Sequence, residues 1–273
     1  MSQILDFEIH PKEKTYLIIR IFAAILGYIL FFSLISFALT SGSIVAFIPI
    51  FFYIILILLY LFFRLGILIG YLQGNAVKVS KSQFPEIHKI VVEQSELLDL
   101  RIIPDVYLLQ NGGILNAYAT RFFGSNYVVI YSDVLEEAFE NNIETVKFII
   151  GHELGHIKRN HMTKSVWLFP SFVFPFLNSA YSRACEFTCD NIGAALAPKG
   201  VKSGLLLLAS GKKLWKKVNL ESFLDQEYYS GGFWFWFAEK VSTHPRLTKR
   251  LVRFSNAEDI IEASATEIKP ILA

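Results

Sequence analysis

Two uncharged apolar stretches, Ile21 to Leu39 and Ile44 to Phe63, lie back to back with only Thr40-Ser41-Gly42-Ser43 between them. Each is about long enough to cross a ~30 Å hydrocarbon core as a helix. Burying two helices that are apolar on every face is a poor fit to a soluble domain of modest size. The pair is therefore expected as a transmembrane hairpin, with helices at about 17–40 and 44–72. Pro49 falls early in the second helix, where proline is tolerated.

Basic residues set the expected orientation. Lys12, Lys14 and Arg20 precede the first span, Arg64, Lys78 and Lys81 follow the second, and the turn carries none. By the positive-inside bias the bulk of the chain faces the cytoplasm, with the plasma (inner) membrane as the expected site. Asp6, Glu8 and Glu13, and the second span close behind the first, argue for an uncleaved anchor and against a signal peptide. Residues 1–74 are thus expected as the anchor and residues 75–273 as a globular domain. The hydrophobic fraction of 53% is concentrated in the hairpin. A net charge of +2 gives no reason to expect nucleic acid as a partner. The lipid bilayer is the expected one, and nothing in the sequence fixes an oligomeric state. The two cysteines, Cys185 and Cys189, are four apart on one expected helix. In a reducing compartment they read as small buried hydrophobes, with soft metal ligation as the alternative.

The globular part reads as α+β and mainly helical. Pro85 to Leu98 is expected as a helix opened by proline. Val106 to Leu109, Leu115 to Phe122 and Tyr127 to Tyr131 form a small sheet, divided by Asn111-Gly112-Gly113 and Gly124-Ser125-Asn126. Asp133 with Glu136 marks the start of a short helix. Val146 to Met162, Arg183 to Leu196, Lys202 to Lys217 and Pro245 to Phe254 are further helices. Val166 to Leu177, broken by Pro170 and Pro175, and the aromatic run Gly231 to Ala238 fit either a core or a rim that dips into a membrane interface. Lys212 to Lys217 reads as a solvated helix face, with an anionic lipid surface as the alternative.

One segment names a chemistry: His152-Glu153-Leu154-Gly155-His156. On a helix, residues four apart share a face, so both imidazoles can hold one zinc ion while Glu153 reaches a water on it. Zinc then lacks a third protein ligand. Glu186 is a candidate, and Asp190, one turn later on the same face, is placed to accept the spare N–H of a zinc-bound imidazole, His152 being the expected one. His161, five residues past His156, would point about 140° away on a continuous helix and be solvated. His10 and His88 receive no role.

These residues, with Thr243-His244-Pro245, Arg250 and the upstream Asn116-Ala117-Tyr118, resemble the HtpX-like zinc metallopeptidases, membrane-bound relatives of the CaaX prenyl proteases. The resemblance implies a transmembrane hairpin followed by a zincin-like metallopeptidase domain of gluzincin type. It implies one zinc per chain on His152, His156 and Glu186, with Glu153 as catalytic base. His244 and Arg250 would lie near the transition state, and Asn116, Ala117 and Tyr118 would hold the substrate backbone. The implied activity is hydrolysis of peptide bonds in peptide or protein substrates, in membrane-protein quality control or processing. Many relatives carry further spans between the zinc helix and the glutamate helix. Here that stretch holds only 166–177, which argues against an enclosed chamber and against prenylated substrates. The readings that compete are a zinc hydrolase of another bond and a membrane scaffold with a structural zinc. A structural site usually takes four protein ligands, and the intact Glu153 speaks for catalysis.

Overall fold

The computed structural model describes residues 5–42, 44–110, 117–139 and 142–255. Helix α1 spans Pro11–Thr40 and α2 spans Ile44–Asn75. Both are long and apolar enough to cross a membrane, and most of their apolar side chains are exposed. At 1.5 Å per residue, each is about 45 Å long, well beyond the ~30 Å that hydrocarbon requires. The surplus turns pack on the rest of the chain. At the end of α2, Ile69 and Leu72 are buried against Tyr107, Leu109, Tyr127 and Val129.

The sheet is built from β1 (Val77–Lys78), β2 (Asp105–Leu109), β3 (Ala117–Phe122) and β4 (Ser125–Tyr131), in the order β1-β2-β4-β3. Helix α3 (Pro85–Leu97) connects the first two strands. Strands β2 and β4 are parallel, and β3 returns antiparallel to β4 with Ala117 opposite Ile130. Among the described residues, β3 is the edge strand with no partner on its outer side. Alternate residues divide the strands between two cores, as a period of two requires. Val106, Val128 and Ile130 face the main core, while Tyr107 and Val129 face the end of α2.

Helices α4 (Ser132–Phe139), α5 (Ile143–Lys158), α6 (His161–Trp167), α7 (Leu177–Leu196) and α8 (Val201–Ser210) cover the main-core face and its surroundings. They are followed by α9 (Leu220–Tyr229), α10 (Phe233–Val241) and α11, residues 247–255. Helices α5 and α7 meet at van der Waals distance. A Cβ on Gly193 of α7 would lie 2.9 Å from the carbonyl oxygen of Phe148 on α5. One on Gly155 would lie 3.3 Å from Cys189 Cα.

Several expectations change. The helix expected to reach Met162 stops at Lys158, because Asn160 adopts a left-handed conformation (φ 53°). Asparagine tolerates that region better than most residues. The helix expected over 202–217 ends at Ser210, where Gly211 turns with φ 83°. Lys212 beyond it does not join a basic helix face: it pairs with Asp133 and Glu136 of α4. Pro245 precedes α11 rather than opening it. Residues 5–20, expected within the anchor, pack as part of the globular half. Leu5 N donates to Leu97 O, Asn191 Nδ2 donates to Glu8 O, and Leu5 and Phe7 join the main core.

Because the Gly193 contact is with backbone, a methyl group there forces the two helices apart. Gly193→Ala is expected to cost about 1–3 kcal/mol, as other overpacked sites do. Thermal unfolding of the detergent-solubilised chain measures this; an unchanged midpoint would show that the crossing has slack.

Candidate active site

The α5–α7 crossing assembles the site. His152, Glu153 and His156 lie on α5, and Glu186 on α7 inserts its carboxylate between the two imidazoles. His152 Nε2 is 3.4 Å from Glu186 Oε2, and His156 Nε2 is 3.4 Å from Glu186 Oε1. Metal–ligand bonds of about 2.0–2.1 Å in a tetrahedron put neighbouring donors about 3.3–3.4 Å apart, so the three side chains fit a zinc ion. Two nitrogens and one oxygen form a donor set that leaves a fourth position open.

Behind His152 the support is complete. Its Nδ1 lies 3.0 Å from Asp190 Oδ1. Arg250 donates to the same carboxylate from Nε (2.8 Å) and Nη2 (2.6 Å). The arrangement fixes the imidazole with Nε2 toward the cleft, as a second carboxylate commonly does for a ligating histidine. Burial disfavours a charged His152, but the hydrogen bonds it donates to Asp190 and Glu186 outweigh it and raise its pKa to about 10. Burial pushes the Glu186 carboxyl up, yet the hydrogen bonds from His152 and His156 hold it well below the usual range. Without metal this is a buried ion pair, and a cation that binds must displace a proton from it.

A cleft of about 220 Å³ opens over these groups, lined by Glu153, His244, Leu208 and, from β3, Ala117 to Ala119. The free edge of β3 thus runs along the cleft. Asn116, expected with Ala117 and Tyr118, lies outside the described residues. His244 is 65% exposed on its side chain and brings Nε2 to 3.6 Å from Glu186 Oε1. The arm that carries it is held from below, where Arg183 Nη1 donates to the carbonyls of Lys240 and Ser242. Arg250 also lines the cleft, with Nη1 3.9 Å from Glu186 Oε2, while its Nε and Nη2 are held by Asp190.

His161 overturns its expected exposure. The break at Asn160 swings it back, so that it is buried with Nδ1 3.1 Å from His156 Nδ1. Burial, with the neighbouring His156 charge next, lowers its pKa to about 4 even though a hydrogen bond with Glu13 opposes the shift. The sequence carries one signal that could have led here: Glu13, a carboxylate at the head of an apolar helix, which requires a partner. Cys185 and Cys189 are free and buried, as small hydrophobes would be.

Removing Arg250 would leave the Asp190 carboxylate buried with only His152 to balance it. Arg250→Met is expected to destabilise the chain by about 3–5 kcal/mol, the scale of a broken buried pair. Asp190→Asn in the same background should recover part of that loss, because the orphaned charge is gone. Urea unfolding of the four proteins of this cycle measures the coupling; additive losses would deny it.

Residues 81–177 match peptidase family M48. The match includes α5 and ends before Glu186. The chain is 29% identical over 172 residues to the plastoglobule-localized metallopeptidase 48 of Arabidopsis thaliana, covering 56% of this chain and 48% of that one. It is 24% identical over 217 residues to a protease HtpX homolog of Helicobacter acinonychis (strain Sheeba), covering 65% of this chain and 69% of that one. It thus spans about half the length of the first relative and about two thirds of the second. Among solved structures, S. mikatae Ste24p aligns with a TM-score of 0.47 at 15% identity, over 74% of this chain and 56% of that one. The motif helix lies inside the matched segment, and the chain is thus related to the HtpX-like metallopeptidases, with residues 81–177 a peptidase family M48 segment.

Proposed function

We propose that the chain is a membrane-anchored zinc endopeptidase whose cleft faces the cytoplasm and takes extended, unfolded segments of protein. A role in quality control or processing of membrane proteins fits an anchored enzyme of this kind. The observation that carries the reading is the triangle of His152, His156 and Glu186 beside an uncommitted Glu153. Zinc bound there would supply Lewis acidity, polarising a carbonyl and bringing the pKa of a water to about 7.

The chain's own residues supply the rest. Glu153 takes a proton from the attacking water on its carboxylate and returns it to the departing amine. The exposed Nε2 of His244 faces the cleft and offers an N–H to the oxygen on which charge develops. Arg250 holds the His152 imidazole in place through Asp190, and its Nη1 reaches the cleft beside Glu186. The β3 edge offers main-chain hydrogen bonds to an added strand, a mode that grips any sequence alike and leaves selection to alternate side chains. Ala117 and Ala119 keep that edge unobstructed.

The membrane placement rests on α1 and on the aromatic edge beside it. Trp167, Phe169 and Phe172 are exposed next to α1, and Tyr28 of α1 donates to the carbonyl of Trp167. Phe237 of α10 meets Phe176 at 6.1 Å between centroids, and Phe233, Trp234 and Trp236 extend that edge. Aromatic residues favour the interface between hydrocarbon and water. Of the basic residues near the spans, Arg20 is consumed in a buried contact, and Lys12, Lys14, Arg64, Lys78 and Lys81 are left to set the cytoplasmic orientation.

Casein hydrolysis by the purified full chain tests the activity. Glu153→Gln should keep about one zinc per chain and lose at least about 100-fold in turnover, the lower end of what general acid–base catalysis contributes. Glu186→Ala should lose the metal as well as the activity. A Glu186→Ala protein with full zinc content would overturn the ligand set, and an active Glu153→Gln would overturn the mechanism.

The edge is read by lipid-borne quenchers in single-tryptophan variants of the full chain in vesicles. Trp167, Trp234 and Trp236 should each be quenched by doxyl lipids, and Trp215 only by aqueous iodide. Iodide quenching of Trp234 and Trp236 without any effect of doxyl lipid would place α10 in water.

A further inference from the structure

His152 is backed by a carboxylate and an arginine. Among the described residues of the globular half, no carboxylate backs His156, one turn away. The structure assigns that role to a relay through His161 to Glu13, in which the first membrane helix supplies the charge that orients the second histidine of the metal site. The inference rests on His152, His156 and Glu186 being metal ligands.

The geometry allows one placement of the protons. His156 presents Nε2 to the cleft, where it faces Glu186 at 3.4 Å. A neutral imidazole that ligates through Nε2 carries its hydrogen on Nδ1. That Nδ1 lies 3.1 Å from His161 Nδ1, which therefore accepts. His161 then carries its own hydrogen on Nε2, and Nε2 lies 3.3 Å from Glu13 Oε1. The same oxygen accepts from Arg159 Nε at 3.1 Å and Nη2 at 2.9 Å. The chain His156–His161–Glu13–Arg159 thus ends, as His152–Asp190–Arg250 does, on a buried carboxylate neutralised by arginine. Glu13 and His161 are both buried, which strengthens the contact between them.

A second metal ion is the competing use of these groups, since Glu13, His161 and Cys185 could together enclose one. The surroundings argue against it. Arg159 already donates to Glu13 Oε1, leaving only Oε2, and Arg20, stacked on Tyr181 at 4.8 Å, adds a second positive charge that acts on Cys185. Burial also pushes the Cys185 thiol far up, away from the thiolate a metal requires.

Outer partners of ligating histidines are typically worth 10–100-fold in metal affinity. The test measures the zinc Kd of the full chain in detergent by chelator competition, alongside thermal unfolding of the metal-free protein. His161→Phe keeps the ring and removes both nitrogens; its zinc affinity should fall about 10–100-fold. His161→Asn places an amide oxygen where Nδ1 accepts and should recover most of that loss. Glu13→Gln keeps an acceptor for Nε2 without the charge and should fall between the two. Wild-type affinity in His161→Phe overturns the relay, as does a His161→Asn protein no better than His161→Phe. Should His161→Phe fail to fold, Glu13→Gln and His161→Asn decide it alone: equal affinity in both and wild type overturns the relay. The outcome is separable from the metal reading itself, because a wild-type chain that binds no zinc, or a His156→Ala protein that binds it normally, defeats that reading first.

Discussion

The crossing of α5 over α7 is the contact on which the rest of the site depends. Packed helices usually keep their axes 8–10 Å apart, at a distance set by the side chains between them. Here glycine sits at the contact on both helices. A Cβ on Gly151 would fall 3.2 Å from Gly193 Cα, so the two backbones touch with almost nothing between them. Glutamate is short enough that this closeness matters. Only with α7 against α5 does the Glu186 carboxylate reach both imidazoles with separate oxygens. The same closeness brings Asp190, one turn along, behind His152. Phe148 fills the space alongside, against Gly193 and Gly204, and locks the approach with a ring too large to shift.

What the sequence made legible follows the range of the interactions. The pair His152 and His156 is a matter of helical period, and so is Glu186 with Asp190; both were readable because the spacing alone fixes a shared face. The hairpin and the strands were readable for the same reason, from runs and alternation. His161 was misread because one residue, Asn160, leaves the helix and reverses the geometry that the period predicts. Arg250 was expected beside the site by its place in a motif, but its pairing with Asp190 is a tertiary contact that no spacing shows. The split of 202–217 at Gly211 was available in principle, since glycine after a run of leucines is a common helix stop. The partners of Glu13 were not: no local pattern ties a residue to one 148 positions away.

Glu13 and Arg20 explain why the first helix belongs to the active site as well as to the membrane. An apolar helix slides and rotates in lipid at little cost, because lipid chains and leucine side chains are alike to each other. Two charged residues remove that freedom. Arg20 donates to Ser171 and lies over the rings of Tyr181 and Phe172. Glu13 takes Arg159 and His161. Each charge is costly to bury and costs more if its partners are lost, so the pair fixes both the depth and the rotation of α1 against α7. The segment between α6 and α7 is carried along, because Arg20 holds it by Ser171 and Tyr28 by the carbonyl of Trp167.

A consequence concerns how such a chain can be divided. The two apolar helices invite a boundary after the second, with everything beyond it expected to fold alone. The contacts argue otherwise, since the backbone of Leu5 pairs with Leu97 and that of His10 with Thr188, two residues from Glu186. A piece that begins after α2 would expose the Leu5 and Phe7 sites of the main core and strand Arg159 and His161 without their carboxylate. The start of the chain and the site therefore share one set of packed contacts, and a shift of α1 would be felt at Glu13 and, through His161, at His156.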